Sequence, residues 1–121
     1  MLPTEYNYRI EIAQAAALAL AEKFAGIYAV ILFGSTARMQ LGANDIDILI
    51  KSNEPTEKYS STPAHNKRIT DTEEALKKIG LRVGRGKNQI HYVYLHSDRA
   101  EENEEFIKKF NIDKDGVQIY P

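Results

Sequence analysis

The chain is predicted to fold as an α/β (α+β) sandwich, with helices packed on a small mixed β-sheet. Three observations predict it. A long amphipathic segment comes first, at residues 5–25. Two short apolar runs follow, YAVILF at 28–33 and DIDILI at 45–50, separated by a glycine-containing link. Helical and strand-like patterns then alternate, giving the order helix, strand, strand, helix, strand, helix.

Residues 5–25 carry Ile10, Ala13, Ala17, Leu20 and Phe24 at alternating steps of three and four, the spacing of one helix face. The run AQAAALALA adds helix propensity, and its small side chains predict close packing against another element. Thr4 is placed to cap this helix and Gly26 to stop it. YAVILF, ended by Gly34, reads as a buried strand. GSTARMQLGAN at 34–44 is a connection whose first half can form a short helix, with Gly42 as its stop. In DIDILI the period of two puts Asp45 and Asp47 on one face and turns Ile46 and Ile48 to the core.

SNEPTEKYSSTPA at 52–64, with its two prolines and many Ser and Thr, is the most loop-like stretch. Residues 66–79 are predicted as a second helix with Ile69, Leu76 and Ile79 inward. Glu73 and Glu74 precede Lys77 and Lys78 at helical spacing, and Gly80 ends the helix. LRVGRGK at 81–87 is a basic loop made flexible by Gly84 and Gly86. QIHYVYL at 89–95 is a third strand. DRAEENEEFIKKF at 98–110 is a third helix whose acidic start and basic end suit the helix dipole. The tail, 111–121, adds a short edge strand with Asp115-Gly116 as its turn.

Length and composition narrow the function. At 121 residues the chain is expected to be one domain, 1–121, with a core over 5–110. Sixteen basic and 17 acidic side chains leave a formal charge of −1, which gives no global steering toward nucleic acid or an anionic membrane. With no cysteine, disulfides, thiol catalysis and cysteine–zinc sites are excluded. His65, His91 and His96 lack the HExxH zinc spacing. No apolar run reaches the roughly 18 residues of a membrane-spanning helix. The polar, acidic start does not resemble a secretory signal, so a cytoplasmic location is expected.

The chemistry concentrates in ILFGSTARMQLGANDIDILI, residues 31–50. One strand ends in Gly34-Ser35, and Asp45 and Asp47 open the next. Two carboxylates on one strand face repel each other, which raises a pKa or costs stability unless a cation intervenes. All-oxygen donors at that spacing suit Mg2+ or Mn2+. Glycine lets backbone approach an anion closely, and backbone N–H groups at such a turn point at phosphate oxygens. The Ser35 hydroxyl can donate a further hydrogen bond. These parts suit phosphoryl or nucleotidyl transfer, in which positioning and charge neutralisation carry catalysis.

The run GSTAR…NDIDILI resembles the signature of the nucleotidyltransferase superfamily related to DNA polymerase beta, and within it the small prokaryotic minimal nucleotidyltransferases. The resemblance is sharp over 30–50 and follows element order to about residue 110. It implies the nucleotidyltransferase fold, triphosphate binding by Gly34 and Ser35, and Mg2+ binding by Asp45 and Asp47. Many relatives have Arg-Gly shortly after Gly-Ser; Arg38 matches the arginine, for a role on the nucleotide, and Met39 replaces the glycine. The resemblance further implies transfer of a nucleoside monophosphate, AMP from ATP, to an acceptor hydroxyl on a protein or small molecule. It also raises a HEPN-type protein partner and an antitoxin role.

One departure matters. The family has a third carboxylate on the next central strand, which completes the metal site and can act as general base. QIHYVYL holds none, and His91 occupies the matching position. Three explanations stand open: His91 serves as the base, Asp71 or Asp98 reaches in from elsewhere, or the domain binds nucleotide or a partner without turnover. Among the other candidates, Arg82, Arg85 and Lys87, and also Lys67 and Arg68, could meet phosphate but read first as solvated. Tyr92 and Tyr94 fall on the strand face opposite His91 and read as packing residues. The acidic run from Glu101 to Glu105 reads as a solvated face.

Overall fold

A computed structural model describes residues 1–121. Helix α1 spans Pro3–Lys23, with Leu2 as its N-cap residue. Proline is tolerated at a first helical turn because its missing N–H would have no partner there. Thr4 therefore lies inside the helix, and the expected Thr4 cap does not form. Ala13, Ala16, Ala17 and Leu20 are buried, as the small-residue face predicts, and Arg9 is buried with them.

Strand β1 (Ile27–Phe33) leads into α2 (Gly34–Ala37), and β2 (Ile46–Ser52) follows. The short helix stops before Gly42: Arg38 is its C-cap residue and Met39 takes a left-handed φ of 54°. Within the stretch expected to be loop, Thr56–Tyr59 form a 3-10 turn, and α3 (Thr62–Lys77) begins earlier than predicted. The Ser61 hydroxyl accepts from Ala64 N at its start, and a proline occupies its first turn. Leu76 is buried and Ile69 half-buried, but Ile79 lies past the helix end and is 44% exposed. Strand β3 (Ile90–His96) and α4 (Ala100–Lys109) match their predicted places. The tail forms a one-turn helix α5 (Ile112–Asp115) before β4 (Val117–Tyr120), so Asp115-Gly116 ends a helical turn rather than making a hairpin.

The sheet order is β3-β2-β1-β4. β1 is antiparallel to β2 and β4, whereas β2 and β3 are parallel and joined by the α3 crossover. The alternation of side chains divides the interior into two cores. On one face Val30, Leu32, Ile46, Ile48, Ile50 and Ile90 meet α1 and Leu76 of α3. On the other, Phe33, Leu49 and Leu95 meet Ile112 of α5 and Phe106 and Ile107 of α4. Asp45, Asp47 and His91 belong to this second face, at the end of the sheet where β1 finishes and β2 and β3 start.

Candidate active site

The register explains why these residues meet. Asp47 pairs with Phe33 of β1 on one side and with His91 of β3 on the other. One row across the sheet thus joins the Gly34 turn, the aspartates and the histidine. Gly34 has a φ of +75°, and a Cβ there would lie 2.5 Å from Asp47 Oδ2. The glycine is required twice over: for a left-handed conformation, and for the approach of the turn to a carboxylate.

Asp45, Asp47 and His91 each present an atom within 4.8 Å of the others. Asp45 and Asp47 face the same way, as their spacing requires. The His91 ring can be oriented from its partners. Arg85 Nη2 lies 3.0 Å from His91 Nε2 and can only donate, so Nε2 is the acceptor. Nδ1 then carries the proton and donates to Asp47 Oδ1 at 2.8 Å. Burial raises the Asp47 pKa above its ordinary value; the His91 hydrogen bond opposes this, and the neighbouring Asp45 charge adds to the rise.

Behind the carboxylates runs a polar brace. Arg9 Nη1, buried, donates to Thr36 Oγ1 at 3.1 Å, and Thr36 Oγ1 donates to the Asp45 carbonyl at 2.9 Å. Glu5, 3.3 Å from Arg9 Nη2, balances the buried charge. α1 thereby fixes α2 and the start of β2 relative to each other. The helical periodicity gave no warning of this, since Arg9 sits beside the apolar stripe and reads as a surface residue.

An open cleft of about 530 Å3 covers the site. Gly34, Ser35, Arg38, Asp45, Asp47 and His91 all line it, with Arg85 and, from the C-terminal helices, Phe106, Lys109 and Phe110. Lys109, a third cation lining the cleft beside Arg38 and Arg85, has no sequence signal beyond the basic end of its helix. Wider hollows of about 670 and 570 Å3 lie elsewhere. The first is built around Asp98, which already accepts hydrogen bonds from Thr56 N and Oγ1 at 3.0 and 2.8 Å. Neither assembles a comparable set of converging groups.

The other sequence candidates fall outside the cleft. Asp71 is paired with Lys67 at 2.9 Å on α3, and Asp98 is held by Thr56, so neither supplies a third carboxylate. Arg68 is stacked between the rings of Tyr59 and Tyr94, at 4.1 and 4.4 Å, and donates to His96 Nε2 at 2.7 Å. It pins the 54–59 segment to the sheet. Tyr92 and Tyr94 lie opposite His91 and pack in the α1 core as expected; burial pushes the Tyr94 hydroxyl up to about 12.

Arg85 corrects its sequence reading. It is not merely solvated: its Nη1 lies 3.7 Å from Asp45 Oδ2. Nor do the glycines around it mark a slack loop. The Gln89 side chain fills the loop interior, accepting from Gly86 N at 3.0 Å, and a Cβ at Gly84 would collide with it.

Residues 14–117, most of the chain, match the model of the nucleotidyltransferase domain. The chain belongs to that family. A crystal structure of a Sulfolobus solfataricus protein assigned as a nucleotidyltransferase superposes with a TM-score of 0.53, covering 93% of this chain and 80% of that one. At 19% identity this likeness speaks for the fold alone. No curated protein matches significantly. No helix of this nucleotidyltransferase domain is long and apolar enough to cross a membrane.

A divalent cation is usual for such a domain, and the residues fit one. Asp45 Oδ2 is buried and has no hydrogen-bond partner; Arg85, at 3.7 Å, is within ion-pair but not hydrogen-bond distance. A buried carboxylate oxygen left unpaired is costly unless a cation meets it. Carboxylate donors suit Mg2+ or Mn2+, and with Nδ1 committed to Asp47, His91 is a poor candidate for direct ligation.

Proposed function

We propose that the cleft transfers a nucleoside monophosphate, AMP from ATP, to an acceptor hydroxyl and releases pyrophosphate. The observation that carries this is the convergence of Asp45 and Asp47 beside the Gly34–Ser35 turn. In this reading the two carboxylates hold Mg2+ or Mn2+, which neutralises phosphate charge and polarises the reacting phosphorus. Gly34 and Ser35 receive the triphosphate, and Arg38 counters charge on it. His91, with its proton on Nδ1 and donated to Asp47, has a lone pair on Nε2 that can take the acceptor's proton once Arg85 moves aside. Asp47 thereby orients the base. An open, shallow cleft suits an acceptor presented by another protein, of which a HEPN-type partner with this chain as its antitoxin is one form.

A second reading, binding without turnover, is favoured by one observation: no carboxylate joins Asp45 and Asp47, and His91 stands in its place. Incubation with labelled ATP, Mg2+ and candidate acceptors separates the two. Mg2+-dependent incorporation that falls about 10²- to 10³-fold or more in Asp45→Asn and Asp47→Asn supports transfer. ATP binding with no incorporation into any acceptor supports the binding module. Absence of Mg2+-dependent ATP binding sinks both.

A further inference from the structure

We propose that Arg85 is a resident counter-ion of the Asp45–Asp47 pair, which holds the place of the divalent cation and suppresses its binding in the absence of nucleotide. The inference rests on reading that pair as the cation site. It gives Arg85, which in the sequence reads first as a solvated residue able to meet phosphate, a defined role at the carboxylate pair.

Four observations carry it. First, the contacts are directed: Arg85 Nη2 meets His91 Nε2 at 3.0 Å while Nη1 lies 3.7 Å from Asp45 Oδ2. The guanidinium thus spans the gap between the residues that would surround a cation. Second, the carboxylate it faces is 14% exposed and has no hydrogen-bond partner on that oxygen, so the site retains an unmet demand for positive charge. Third, the loop is fixed. Asn88 N donates to the Asn44 carbonyl at 2.8 Å, Ile46 N to the Gln89 carbonyl at 2.8 Å, and Ile90 N to the Arg82 carbonyl at 2.8 Å. The first two tie the base of the loop to the start of β2, the third closes the loop's two ends on each other, and Gln89 fills its interior. Fourth, the Arg85 side chain itself is 73% exposed, so it can swing away without unfolding the loop. A rigid mount with a free arm is what an exchangeable charge needs.

The charge count gives the consequence. Two carboxylates and one guanidinium leave these three groups at a net −1. A free dication must displace Arg85 and leave it near like charge, which opposes binding. A triphosphate arriving with its cation supplies an anionic alternative for the guanidinium. Metal and nucleotide entry are thereby coupled, and occupancy by metal alone is discouraged.

Binding of Mn2+ alone to the full chain, followed by electron paramagnetic resonance of the free ion, tests this. Wild type, Arg85→Gln, Arg82→Gln and Asp45→Asn are compared, with circular dichroism confirming the fold. Arg82 belongs to the same loop but makes no ion pair, so it controls for net charge. Arg85→Gln is expected to tighten Mn2+ roughly fivefold, the effect of losing one partly exposed ion pair, with Arg82→Gln near wild type. An unchanged or weakened affinity in Arg85→Gln, or equal tightening in both glutamine variants, overturns the counter-ion role. In those cases loss of binding in Asp45→Asn shows that the cation site itself stands. If Asp45→Asn binds Mn2+ as wild type does, or no variant binds it, the cation-site reading falls and this inference with it.

Discussion

Replacing Thr36 with valine keeps the shape of the side chain and removes one hydroxyl. That hydroxyl accepts from Arg9 Nη1 at 3.1 Å and donates to the Asp45 carbonyl at 2.9 Å, in a region where Thr36 is 0% and Arg9 1% exposed. Arg9 Nε already has no partner, so the guanidinium has little hydrogen bonding in reserve. Leaving a buried donor or acceptor unpaired costs about 1–3 kcal/mol, and two such groups about 2–6 kcal/mol. The added methyl returns under about 1 kcal/mol. Thr36→Val should therefore lose about 1–5 kcal/mol, a large share of a domain stability of about 5–15 kcal/mol. Urea unfolding followed by far-ultraviolet circular dichroism measures it, with the loss read as a lower midpoint at unchanged slope. Arg9→Met should cost less, because Glu5, 43% exposed, regains water and Thr36 still holds Asp45. The double variant should fall short of the sum by about 1 kcal/mol or more, the coupling expected of residues in one network. Thr36→Val within about 0.5 kcal/mol of wild type would falsify the brace as a stabilising element.

Three further outcomes are expected. Gly34→Ala meets both a φ of +75° and the Asp47 carboxylate, so it should lose about 2 kcal/mol and weaken Mn2+ binding; wild-type Mn2+ affinity in that variant speaks against the close approach of turn and carboxylate. Met39→Gly relieves a left-handed φ of 54° at a residue 37% exposed, so it should be neutral to stabilising by about 0.5–1 kcal/mol, and a destabilisation of that size in urea contradicts it. Burial works against the Glu54 carboxylate, but hydrogen bonds from Tyr59 and Lys58 outweigh it and hold the pKa below 4.5. A carboxylate depressed in the folded state stabilises above its unfolded pKa, and that contribution disappears as pH falls through the folded value. Glu54→Gln should therefore flatten the loss of urea midpoint on acidification below 4.5, and an identical acid slope in both proteins removes Glu54 as its source.

The strands and the aspartate geometry were legible because they depend on short-range rules. A period of two put Asp45 and Asp47 on one face, and apolar runs ended by Gly34 and begun at Ile46 marked where the sheet stops. Helix boundaries were read less well where chain stereochemistry decided them: Pro3 and the Ser61 cap start α1 and α3 earlier than the apolar pattern does. The short helix ends at a left-handed Met39, whereas Gly42 looked like the natural stop. The site contacts that the sequence does not announce join residues distant along the chain. Arg9 reaches Thr36, Arg85, a phosphate candidate that reads first as solvated, reaches Asp45, and Lys109 meets the cleft only because α4 packs over the second core. His91 lies beside Asp47 because β2 and β3 are parallel neighbours in register, whereas its hydrogen bonds to Asp47 and Arg85 are properties of the assembled fold.

Strand β4 borders β1 along Val30, Ile31 and Leu32. Stripped of that cover, the apolar IYAVILF ribbon would offer unsatisfied amides and carbonyls to any passing chain, next door to the glycine turn. The last few residues are thus a sealing strip as much as a tail. A truncation or tag that lifts them would invite intermolecular zippering and fibre growth before it disturbed the Asp45, Asp47 and His91 cluster.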